Sequence, residues 1–144
     1  MKTAKSAVLH FTLRDDGIIR ADSQPGIEPT PALLEEAEAR CRLVRSDVRR
    51  PALWNITDLT RPQPQVGLGF IETAPKNLAA IAILGTSDQI ARLGVFPALM
   101  NDLLLPVAMF DGEPEAIAWL SRYLWRVRPT LVGDPHVHAL WVDW

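Results

Sequence analysis

The chain has 144 residues, 48% of them apolar, and a formal charge of -2 at neutral pH. That length fits one domain whose core needs no staple, and the near-neutral balance, without a Lys/Arg cluster, argues against nucleic acid or an anionic lipid surface as partner. One cysteine, Cys41, excludes an intrachain disulfide and a cysteine-rich metal centre.

The opening Met1-Lys-Thr-Ala-Lys5, followed by Ser-Ala-Val-Leu-His-Phe, has the look of a signal peptide, but its apolar run is short and His10 interrupts it. No run approaches the roughly 18 apolar residues that a spanning helix needs. A cytoplasmic setting without a membrane span is therefore expected. Residues 7–13 and 18–21 read as strands around Arg14-Asp-Asp-Gly17, where Asp-Gly signals a hairpin. After a Pro/Gly loop, Thr30-Pro31 supplies an N-cap and a preset first helical residue. The helix that follows runs to about Asp47, with Leu33, Leu34, Ala37, Cys41 and Val44 on one stripe. Glu36/Arg40 and Glu38/Arg42 are spaced as i,i+4 pairs on its wet side. Cys41 thus reads as a core residue rather than a reactive thiol, since no activating neighbour is evident.

Arg49-Arg50-Pro51 is expected to break the chain ahead of a third strand over 52–57, which ends in the polar, proline-rich loop Asp58-Leu-Thr-Arg-Pro-Gln-Pro64. A short helix over about 65–74 is weakened by Gly67 and Gly69. The continuous apolar run Leu78 to Leu84 reads as a buried parallel strand. Leu93, Phe96, Met100, Leu103 and Leu104 form a helical stripe that Pro97 should kink. A fifth strand follows at 106–110, and a last core helix begins around Gly112 to Pro114, presenting Ile117, Leu120 and Leu124 inward. Hairpin followed by alternating helices and strands implies an α/β domain over 1–127, a mixed sheet of four to five strands flanked by helices. Residues 128–144 remain as a C-terminal extended arm.

Chemistry-bearing residues are sparse. Asp58 ends a central-looking strand, where open α/β sheets place ligands, with Thr60, Arg61 and Gln65 close in sequence. Arg92 could point at the same end. The alternatives are an Asx-turn or capping aspartate and a solvated helix arginine. Gly67-x-Gly69 resembles a dinucleotide loop, but Glu72 stands at the third glycine position and would meet the pyrophosphate. His136-Val-His138 has metal-ligand spacing without an evident third ligand. Asp15-Asp16 belongs to the hairpin turn and Glu35-Glu36 to a helix surface. No cofactor or metal is therefore expected.

The block from Ala80 to Leu120, above all Arg92-Leu93, Asn101, Pro106, Phe110 and Glu113-Pro-Glu-Ala-Ile-Ala-Trp-Leu120, resembles the small bacterial STAS/SEC14-like proteins, relatives of anti-sigma-factor antagonists. The resemblance implies a STAS-like mixed sheet in a protein that works by binding a regulatory protein or an apolar small molecule. Phospho-regulated antagonists carry Asp-Ser-Ser-Gly-Leu-Gly after the third strand, whereas this chain reads Pro64-Gln-Val-Gly-Leu-Gly69. Val66 stands at the serine position and has no hydroxyl to phosphorylate, so the usual serine switch is not expected. Thr60 is the nearest substitute.

Two functions of different classes follow: a noncatalytic binding or regulatory module, and a small enzyme with its site around Asp58. The first is favoured because a hydrolytic or transfer site needs base, nucleophile and oxyanion donor together. In the arm, His136-Val-His-Ala-Leu-Trp-Val-Asp-Trp144 alternates as a strand does. Its two tryptophans suggest an interface anchor, so self-association as a homodimer is expected, with cis packing over its own sheet edge as the alternative.

Overall fold

The computed structural model describes residues 2–24, 31–46, 48–59, 78–92, 105–124 and 128–129. Six strands, β1 (Thr3–Lys5), β2 (Leu9–Leu13), β3 (Ile19–Ser23), β4 (Val48–Asn55), β5 (Leu78–Leu84) and β6 (Val107–Phe110), lie side by side in chain order. The first three pair antiparallel, and β3, β4, β5 and β6 are parallel. A two-residue strand, β7 (Arg128–Pro129), pairs antiparallel with Val48 and Arg49 at the start of β4. The described helices are α1 (Pro31–Arg45), α2 (Ser87–Arg92) and α3 (Glu113–Ser121). None is long and apolar enough to cross a membrane.

The expected α/β plan is present, with more strands than the four to five expected. The additional strands are the two-residue β7 and β1, which falls in the segment whose start resembles a signal peptide. Ser6 creates β1: its hydroxyl accepts from Val8 N at 3.3 Å and Leu9 N at 3.0 Å and donates to Leu9 O at 3.1 Å. The local side-chain bonds compete with the ladder and turn the backbone, so β2 starts at Leu9 and Thr3–Lys5 folds back on it. The hairpin between β2 and β3 falls where Asp16-Gly17 places it. Gly17 N donates to Arg14 O at 3.0 Å and Arg14 N to Ile18 O at 2.9 Å, with Gly17 at φ 92°, a conformation that favours glycine.

Helix α1 lays Ala37, Cys41 and Val44 on one face of the sheet, against Phe11, Ile19, Trp54, Ile81 and Ile83. Glu38 on this helix pairs with Arg45 at 2.7 Å, seven residues on, where i,i+4 spacing suggested Arg42. The opposite face packs Ile18, Leu53, Ala80, Ala82 and Leu84 against Ala116 and Leu120 of α3. Alternate residues of β4 and β5 therefore serve two cores, which is why Leu78 to Leu84 is apolar throughout.

Pro51 does not break the chain as expected; β4 runs through it. Proline removes a ladder donor and survives inside a sheet at bulges. Arg50 aligns with Leu78 and Pro51 with Ala80, so Ala79 is the extra residue at this point. The pairing of β4 with β7 ends at Arg49, and its pairing with β3 begins at Ala52. The expected helices over 65–74 and around Pro97, and the arm beyond Pro129, lie outside the described residues.

Candidate functional site

The carboxyl ends of β3, β4, β5 and β6 share one edge of the sheet, where strand carbonyls end and connecting segments converge. Register assembles a polar row there. Lys5, His10, Asp22, Asn55, Leu84 and Phe110 are successive cross-strand partners from β1 to β6. Asp22 and Asn55 point to the α3 side, because the residues two earlier on their strands, Arg20 and Leu53, do so.

An ion pair and a run of hydrogen bonds link the polar groups of this row. Glu113, in the first turn of α3, forms an ion pair with Arg20. Arg20 Nε donates to both oxygens of Asp22 at 3.0 Å. Asn55 Nδ2 donates to Asp22 Oδ1 at 2.8 Å, and Asn55 Oδ1 accepts from Thr57 N at 3.0 Å and Thr57 Oγ1 at 2.6 Å. Two carboxylates flank one guanidinium, all half-buried, an arrangement in which charge-assisted bonds exceed neutral ones in strength. On the other face of β4, Trp54 Nε1 donates to Ser23 Oγ at 3.0 Å, a buried bond that ties β3 to β4 at the same level.

Asp58 lies three residues past the end of β4, in a turn closed by Leu59 N donating to Ile56 O at 3.0 Å. It is exposed, and its carboxylate has no partner among the described residues. The Asx turn expected of it belongs to Asn55, whose carbonyl takes the amide two residues on. Arg92 is exposed too, and its Nε donates to Asp88 on its own helix at 3.0 Å. An exposed i,i+4 pair of this kind contributes a few tenths of a kcal/mol. Among the described residues no ion pair joins Asp58 to Arg92. Thr60, Arg61 and Gln65 lie outside the described residues, as do Val66 and the two histidines of the arm.

Gln89, which the sequence reading passed over, connects the two elements. Its Nε2 donates to Thr57 O at 2.9 Å and Leu59 O at 2.8 Å, while its Oε1 accepts from Thr86 N at 2.9 Å. Gln89 N in turn donates to Thr86 Oγ1 at 3.1 Å. Thr86-x-x-Gln89 is a capping box, and that spacing just after an apolar strand was the signal available for it. Arg20 and Asp22 share a face of β3 by their spacing, but strand register brings Asn55 to them and the docking of α3 brings Glu113.

Cys41 is buried beneath α1, as its stripe position implied. Burial pushes its thiol up to about 12, with the nearby Glu38 carboxylate acting in the same direction and Arg45 opposing. The neutral thiol is thus the folded form, and the unfolded chain ionises first as pH rises. Stability from this group is full below pH 9 and is lost as pH climbs from about 9 to about 12. We expect Cys41→Ala to flatten the alkaline arm of a urea-denaturation pH profile. Iodoacetamide at pH 8 should label the wild-type thiol only after unfolding.

No described group of three or more His, Cys, Asp or Glu side chains is arranged to hold a metal. Compared with known proteins, the chain matches no family model, no curated protein and no solved structure.

Proposed function

We propose that the chain is a noncatalytic binding module of STAS-like type that engages a protein partner at the carboxyl edge of its parallel strands and associates with itself as a homodimer. The observation that carries this reading is that the polar groups from Glu113 to Thr57 are engaged with one another. A general base must face a substrate proton, and a nucleophile must face its base. Here Asp22 is held by Arg20 and Asn55, while Asn55 and Gln89 spend their polar atoms on backbone and neighbours. The exposed charges on the turn and on α2 include Asp58 and the Asp88–Arg92 pair, on elements joined through Gln89. Exposed charges tune the specificity and rate of association more than its strength. The hairpin leading into parallel strands, with helices on both faces, is compatible with the resemblance drawn from Ala80 to Leu120. Val66 at the usual serine position leaves partner binding without the phosphorylation switch.

Native mass spectrometry of the purified protein tests oligomeric state and cargo together. The expected species is a dimer of unmodified chains. A monomer would remove the homodimer, and a dimer carrying a lipid-like adduct would replace the protein partner with an apolar small molecule. Incubation with a switch kinase should leave residues 63–69 unmodified, whereas phosphate on Thr60 would restore a displaced switch. Catalytic turnover abolished by Asp58→Asn would establish the enzyme reading instead.

A further inference from the structure

We infer that Gln89 is a clip that makes the closing of the turn after β4 and the folding of α2 a single event, so that a disturbance in either element opens both. Among the described residues, α2 (Ser87–Arg92) is held by its N-terminal cap and by its docking against the sheet and the turn. Ile90 packs against the core, and Gln89 supplies the side-chain acceptor of the cap together with the hydrogen bonds to the turn. The carbonyl end of Gln89 caps Thr86 N, and the amide nitrogen of the same group holds Thr57 O and Leu59 O. The planar amide fixes the two ends relative to each other, so Gln89 cannot keep the turn while losing its place in the helix. No other described hydrogen bond links α2 to residues 57–59. Gly85, immediately before the cap, has its backbone against Ile56 and donates to Phe110 O at 3.0 Å, which anchors the start of this unit to the sheet. The moving part therefore begins at Thr86 on one side and Thr57 on the other.

Coupling of this kind is reciprocal: if the turn stabilises the helix, the helix must stabilise the turn by the same factor. The inference concerns the isolated protein and stands whether or not the edge binds a partner. Amide hydrogen exchange followed by NMR reads it directly, with Leu59 N reporting the turn, Ile90 N, which donates to Thr86 O at 3.0 Å, reporting the helix, and Ile56 N, which donates to Leu84 O at 2.9 Å, reporting the sheet. Gln89→Glu keeps an acceptor for the cap but places a carboxylate against two carbonyl oxygens. We expect Leu59 and Ile90 both to exchange at least tenfold faster while Ile56 is unchanged. Thr86→Ala touches nothing in the turn and removes one side of the cap. We expect it to speed Leu59 and Ile90 by a common factor of about five, as loss of a cap hydroxyl implies. Acceleration of Ile90 alone in Thr86→Ala, or of Leu59 alone in Gln89→Glu, would show two independent elements and overturn the clip. An accelerated Ile56 would reassign the effect to the sheet and overturn it equally.

Discussion

Trp54→Ala should be the most damaging single substitution in the described structure, lowering the free energy of unfolding by about 3–5 kcal/mol. Trp54 is 1% exposed, the largest of the fully buried side chains, and lies in the core between α1 and the sheet. Its loss leaves a cavity between β4 and α1 and strips the buried Ser23 hydroxyl of its donor. Against the 5–15 kcal/mol that holds an ordinary domain together, such a loss moves the thermal midpoint down by on the order of 10 °C. Trp54→Phe separates the two contributions, since it retains a large ring and removes the N–H. Urea denaturation should place it between wild type and alanine, and a phenylalanine variant as unstable as alanine would assign the whole effect to the hydrogen bond.

The second large effect is expected at Gly85. A Cβ there would stand 2.7 Å from Ile56 Cγ1 and 3.2 Å from Gln89 Oε1. Ile56 is fully buried and has no room to withdraw, so Gly85→Ala should destabilise by about 1–3 kcal/mol through overpacking. Removing the obstructing atoms changes the sum. Ile56→Ala alone leaves a cavity, but Gly85→Ala in that background should cost less than in wild type, and the double-mutant cycle should show a favourable coupling. Additive free energies from chemical denaturation would show that the clash lies elsewhere.

How far the sequence anticipated this arrangement depended on whether a residue's role is local. Leu78 to Leu84 was read to the residue because a strand buried on both faces has to be apolar at every position. The Asp16-Gly17 hairpin was equally plain, since its backbone needs glycine at one place. The edges of β4 were misjudged for a reason that lies in its neighbours. Pro51 forbids a ladder bond, and only the pairing partner reveals that Ala79 makes room for the gap. Strand β1 escaped notice because Thr3 to Lys5 has little apolar pattern and owes its place to the hydroxyl of Ser6. The candidate edge divides in the same way. Asp58 pointed to the end of a central strand, but the polar groups that meet there come from β3, β4 and α3 through strand register and helix docking. Gln89 sits between these cases: its capping spacing is written in the sequence, its second pair of bonds is not.

The pairing of Arg128–Pro129 with Val48 and Arg49 bears on how the chain is born. Synthesis delivers β1 to β3 early, and their hairpin contacts can form while the rest is still being made. Among the described residues, the strand partner of Val48 and Arg49 lies about 80 residues further along the chain. Until that partner has been made, Val48 and Arg49 present open backbone donors and acceptors, the kind of edge that invites pairing with the wrong chain. The two arginines that precede Pro51 put like charge on every copy of that stretch, so nascent chains repel one another until their own Arg128–Pro129 arrives.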